Sequence, residues 1–159
     1  MNGFFAANEM PSLRASNILQ FFFEQRVAQH MSSSIRSVSP TTTLRELGKL
    51  IERFDYNAFP VLDNERLLGI VTKFDFLRAF IFTEQRLLPD YDSLMNTPVA
   101  KVMSSKIIVL QPDEPLTRVL EKMVKLRLRS FPVVEAKALL GMIARSDIVK
   151  ALDQSVHNT

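Results

Sequence analysis

Apolar residues recur along this chain with two different spacings. Between Leu44 and Phe54 they fall at Leu44, Leu47, Leu50, Ile51 and Phe54, the three-and-four spacing of a helix that buries one face. Short runs at Ala58–Leu62 and Leu67–Val71 are bounded by turn residues and predict strands, and a short strand is expected near Ile35–Val38 after a Ser-rich turn. Pro40 and the run Thr41, Thr42, Thr43 stop the first strand and cap the helix, while Asp55-Tyr56-Asn57 and Asp63-Asn64-Glu65 supply turns. Asp75 then sits in the first turn of a helix through Leu77, Phe80 and Ile81. The unit reads strand, helix, strand, strand, helix.

That unit occurs twice. Residues 27–80 lie over residues 99–152 without a gap, each position paired with the one 72 further on. Identities include Val27/Val99, Met31/Met103, Pro40/Pro112, Phe59/Phe131, Pro60/Pro132, Gly69/Gly141 and Asp75/Asp147. In the second copy Thr97-Pro98 opens a short helix ending at Met103, and Ile107–Leu110 predicts a strand buried on both faces. Asp113, Glu114 and Pro115 start the helix carrying Leu116, Val119, Leu120 and Met123. Strands at Phe131–Val134 and Leu139–Ile143 follow, with a last helix from about Ser146 to Leu152.

Outside the repeats, Ser16 or Asn17 caps a helix through Ile18, Leu19 and the three consecutive Phe21, Phe22 and Phe23 towards Met31. Successive helical residues point about 100° apart, so at least one ring must meet a second surface, either the other repeat or another subunit. The expected division is an N-terminal segment over 1–26, repeats over 27–82 and 97–153, a connector over 83–96, partly helical around Leu87, and a tail over 154–159.

Composition narrows the chemistry. The 159 residues carry 20 basic and 17 acidic side chains, a net charge of +3, spread along the chain in a way that does not argue for nucleic acid. There is no cysteine, which removes disulfides, thiolate nucleophiles and Cys-based zinc sites. No apolar run approaches the ~20 residues of a membrane span, and no basic residue precedes Phe4 and Phe5 as a signal peptide would require, so a cytoplasmic protein is expected. The two histidines, His30 and His157, have no evident nucleophile or carboxylate partner. No His or acidic cluster has metal-ligand spacing, and neither a P-loop nor a dinucleotide fingerprint is present. A non-enzymatic module without a required cofactor or metal is the expectation.

Val-Ala-x-x-Met-Ser opens each copy, Phe-Pro-Val stands on the second strand of each, and Gly-x-x-Thr-x-x-Asp, complete only in the first copy, marks the strand-to-helix junction. With these markers in order, twice, at constant spacing, residues 27–152 resemble a tandem CBS domain pair, or Bateman module. The resemblance implies an α/β (α+β) fold of two β-α-β-β-α repeats packed sheet to sheet with pseudo-twofold symmetry. It also implies a regulatory adenosyl ligand, such as AMP, ADP, ATP or S-adenosylmethionine, in the clefts between the repeats. Physical chemistry agrees with such a use of the junction: Gly69 admits close approach, Thr72 offers a hydroxyl, Asp75 can accept from vicinal ribose hydroxyls, and the helix start offers N–H groups to a phosphate. On local pattern alone, Thr72 and Asp75 are also ordinary helix-start residues.

Carried over by position, the resemblance puts the base against Ser37, Val38, Ala58, Phe59 and Pro60 in the first copy and against Val109, Ser130, Phe131 and Pro132 in the second. The second junction has Ala144 in place of Thr and rests on Arg145, Ser146 and Asp147, so the first junction is expected to hold the occupied site. Arg129, in the cluster Lys125, Arg127 and Arg129, is a candidate for forked contact with phosphate; a solvated helix end is the plainer reading of that cluster. Expected partners are the ligand, a second copy in a homodimer and a regulated protein, but not nucleic acid or membrane. The alternative function is a dimerisation or protein-interaction module with empty clefts.

Overall fold

The computed structural model describes residues 17, 20–81 and 90–157. Expectations for residues 1–16, Ile18, Leu19, the connector around Leu87 and the last two residues lie outside this range.

Helix α1 is Val27–His30 and α2 is Leu44–Phe54. The α2 start is a reciprocal cap: Thr43 Oγ1 accepts from Glu46 N, and the Glu46 carboxylate accepts from Thr43 N at 2.7 Å. Strands β1 (Ala58–Asp63) and β2 (Arg66–Thr72) form an antiparallel hairpin, and α3 (Lys73–Arg78) follows directly. After α4 (Tyr91–Met95) and a 3-10 turn at Val99–Lys101, the second copy supplies α5 (Leu116–Leu126), the hairpin β3 (Ser130–Glu135) and β4 (Ala138–Ala144), and α6 (Arg145–His157). Both hairpins turn on two residues of positive φ, Asn64 and Glu65 in one and Ala136 and Lys137 in the other, the twist that suits paired strands. The hairpins join edge to edge at Arg66 and Ala138 into one sheet of order β1-β2-β4-β3.

Several expected elements differ. The strands predicted at Ile35–Val38 and Ile107–Leu110 are reduced to single parallel bridges, Val38 to Val61 and Leu110 to Val133. Only the last residue of each run reaches the hairpin before the turn at Pro40 or Pro112, and Ile108 is 41% exposed instead of buried. The long first helix is broken: residues 20–24 are helical, but Arg26 is extended because it bridges Pro115, and α1 begins afterwards. The last helix outruns its expected end at Leu152 by five residues, reaching His157.

Two cores form, and each borrows from the other copy. Val38, Leu44, Leu47, Phe59, Val61 and Val71 of the first copy enclose Met95 and Val99. Leu110, Leu116, Val119, Phe131, Val133, Ile143 and Ile148 of the second enclose Phe22 and Val27. Phe21 packs edge-on against Phe22 on the core of the second repeat, whereas Phe23 is exposed, so two of the three rings share one surface and the third is covered by none of the described residues.

The exchange is reciprocal across the glycines. Ser32 pairs with Met142 of β4 through two hydrogen bonds of 2.8 and 3.0 Å, and Ser104 pairs with Ile70 of β2 through two of the same lengths. A Cβ at Gly141 would stand 2.8 Å from the Ser32 carbonyl oxygen and 2.9 Å from the Met31 sulfur. At Gly69 it would stand 2.6 Å from the Ser104 oxygen and 2.9 Å from the Met103 sulfur. Mirrored contacts of this kind are what a twofold relation between the copies produces.

Candidate functional site: two unequal clefts

Each copy ends its central strand at a helix start, and each start faces the entrance of the other copy. Two cavities result. The smaller, of about 260 Å³, lies between Ser32, Ser34, Ile35 and Arg36, the loop Asp55–Ala58, and Ala144, Ser146 and Asp147 of the second junction. The larger, of about 670 Å³, lies between Ser104, Lys106, Ile107 and Ile108, the loop Arg127–Ser130, and Thr72, Lys73, Phe74 and Asp75 of the first junction. Asn57, Ala58, Arg129 and Ser130 line both.

At the first junction Thr72 Oγ1 donates to Asp75 Oδ2 at 2.6 Å, Thr72 N donates to the same oxygen at 2.9 Å, and Arg78 donates to Asp75 Oδ1 at 3.0 Å. Asp75 is 8% exposed and held in place by these bonds, with carboxylate lone pairs to spare for further donors. Two of the amides expected to greet a phosphate are engaged: Lys73 N donates to the Asn57 carbonyl and Asp75 N to Thr72 Oγ1. At the second junction Ala144 N donates to Asp147 Oδ2 at 2.7 Å, with no hydroxyl to match Thr72. His30 lies near: burial lowers its pKa and the negative Asp147 partly opposes that.

Charge divides the clefts more sharply than shape. The smaller is lined by two basic side chains, Arg36 and Arg129, and two acidic ones, Asp55 and Asp147. The larger is lined by four basic, Lys73, Lys106, Arg127 and Arg129, against Asp75 alone. Lys73 is paired with Asp55, whereas Lys106, Arg127 and Arg129 form no ion pair among the described residues. Arg36 is spent on the Phe54 ring, 4.8 Å from its centroid.

Of the residues picked from sequence, Ala58, Pro60, Thr72, Asp75, Arg129, Ser130, Ser146 and Asp147 line a cleft. Val38, Phe59 and Phe131 are buried in the cores, and Ser37, Val109 and Pro132 line neither cavity. Gly69 is approached by Ser104 and Met103 of the other copy, which fill the space left by its missing side chain. Arg145 turns outward, its Nε donating to the Leu128 carbonyl. Lys125 lies away from both clefts, paired with Glu121. Lys106, Arg36 and Asn57 line the clefts without being sequence candidates; of the three only Asn57 stands, at the 72-residue offset, opposite a candidate, Arg129. No group of three or more His, Asp or Glu suited to a metal ion, and no helix long and apolar enough to cross a membrane, occurs among the described residues.

The CBS domain model matches residues 27–81 and 99–154. Among curated relatives, the A-adding tRNA nucleotidyltransferase of Geobacter sulfurreducens is 30% identical over 77% of this chain, which spans 13% of that protein. The CBS domain-containing protein YhcV of Bacillus subtilis is 29% identical over 77% of this chain and 81% of its own length. Among solved structures, a Vibrio cholerae protein provisionally assigned to acetoin utilization (AcuB) superposes with a TM-score of 0.72 at 27% identity, covering 84% of this chain and 93% of that one. CBSX2 in complex with AMP gives 0.70 at 23% identity, covering 81% and 96%.

Proposed function

We propose that this chain, which belongs to the CBS domain family, is a non-catalytic regulatory module that holds a phosphate-bearing adenosyl ligand in its larger cleft. One observation carries the reading: the cavity that contains Thr72 and Asp75 also contains Lys106, Arg127 and Arg129, three cations without an ion-pair partner among the described residues. Asp75 takes the ribose hydroxyls, while the cations meet the phosphates. Arg suits that contact because its donors form a fork. The sulfonium of S-adenosylmethionine would add a positive charge to this cleft, so AMP, ADP and ATP are favoured over it. AMP in the similar CBSX2 structure supports the adenosyl class. Binding shifts the population of arrangements of the two repeats, and a regulated protein reads that shift.

Thermal shift and calorimetric titration with AMP, ADP, ATP, NAD and S-adenosylmethionine test this. A ligand at 100 times its Kd adds about 2.7 kcal/mol of stability. A flat response across the panel, or a response to S-adenosylmethionine above that to ATP, overturns the reading. Asp75→Ala is expected to weaken AMP at least tenfold.

A second reading has its own observation. Phe74 and Leu77 of α3, which line the larger cleft, and Ile81 just after it leave an apolar strip that is 69%, 63% and 57% exposed. Such a strip suits a second copy or a regulated protein. Sedimentation of the ligand-free protein, compared with Leu77→Asp, tests for a homodimer through it.

A further inference from the structure

Arg129 stands on the wall between the two cavities and lines both. Its backbone is fixed, since its carbonyl accepts from Arg145 N at 2.9 Å. Its side chain is exposed and makes no hydrogen bond or ion pair among the described residues, so the guanidinium can turn to either side. At the pseudo-symmetric position stands Asn57, which also lines both cavities but brings no charge. The shared wall therefore carries one phosphate-seeking group where a fully symmetric pair would carry two. In the smaller cleft Arg36 lies over Phe54 and the lining charges cancel, so Arg129 is the cation there with nothing else to bind.

We infer that Arg129 is a single anion hook shared by both clefts, so that a phosphate held in one weakens phosphate binding in the other. The inference rests on the reading of the clefts as sites for phosphate-bearing adenosyl ligands. Two consequences follow from one guanidinium serving two cavities. Replacing it weakens anion binding on both sides at once. A ligand without phosphate is indifferent both to the replacement and to what occupies the other side.

Amide resonances give each cleft its own reporter: Ser34 and Ala144 for the smaller, Lys106 and Thr72 for the larger. The full chain and Arg129→Asn are titrated with AMP, with adenosine and with pyrophosphate, which carries the anion without the base. For the unaltered chain the larger cleft is expected to fill first with AMP, the smaller only at concentrations about tenfold higher. In Arg129→Asn both AMP curves and both pyrophosphate curves move to about tenfold higher concentration, while adenosine curves and the melting temperature stay in place. A shift confined to one reporter set, an equal shift for adenosine, or no pyrophosphate response at either set overturns the shared hook. If pyrophosphate behaves as expected while AMP binds no better than pyrophosphate, the hook stands and the adenosyl reading falls.

Discussion

The loops that follow α2 and α5 share one backbone and oppose each other in charge. Asp55 and Arg127, 72 positions apart, both end a helix in the left-handed region, at φ 52° and 54°. Asp55 goes on to pair with Lys73. At the matching places the second copy has Arg127 and Arg145, two cations that cannot pair, and Arg145 turns instead to the Leu128 carbonyl. Duplication has kept what the chain path requires and let the charges diverge. On the proposed reading, ligand preference is written where the copies differ, while the positions where they agree, such as the glycines, hold the two halves together.

Breaking what the copies share should cost most. Gly69→Val and Gly141→Val force a side chain into a carbonyl oxygen of the other copy, so each should destabilise by about 3 kcal/mol or more in chemical denaturation, with Gly69→Val the worse because its clearance is 2.6 Å against 2.8 Å. Next comes the charge difference itself. Lys106→Ala with Arg127→Ala should weaken ATP in the larger cleft by tenfold or more and flatten the salt dependence of its Kd, while the smaller cleft's reporters move to somewhat lower ATP concentration because Arg129 is freed for that side.

The reverse exchange sharpens the contrast. Asp55→Arg gives the first loop the second loop's charge and should raise AMP affinity at the smaller cleft several-fold. Asp55 is held below the usual carboxylate range by its hydrogen bond and charge pairing with Lys73. The pair's stabilisation is thus present above the ordinary carboxylate pKa and is lost as pH falls through the depressed one. Acid titration should release Lys73 only well into acid, and Asp55→Asn should release it at neutral pH, as the Lys73 Nζ chemical shift would report. The smallest effect concerns the caps: Thr72→Ala should cost about 1 kcal/mol, and Ala144→Thr should return part of that amount to the second junction.

The repeat register was fully legible because a constant offset needs no three-dimensional knowledge, and Thr72 and Asp75 were legible because a helix start has a local signature. What faces them was not. The larger cleft sets Thr72 opposite Lys106 and Arg127, and only the twofold relation brings those residues across. The glycines misled for a related reason: a missing side chain announces a close approach without saying whether ligand or chain approaches. The strands expected at Ile35–Val38 and Ile107–Leu110 shrink to bridges at Val38 and Leu110 because apolar residues record burial, and a single bridge can bury its residue as well as a ladder does.

The exchange of core residues between the copies also gives synthesis a direction. Phe22 and Val27 leave the ribosome long before Leu116, Phe131 and Ile143, the partners that will cover them. The first copy must likewise wait for Met95 and Val99 before its core can close. Neither half has a complete interior of its own, so the nascent chain carries exposed apolar surface until nearly all of it has emerged, and is most exposed to aggregation in that interval.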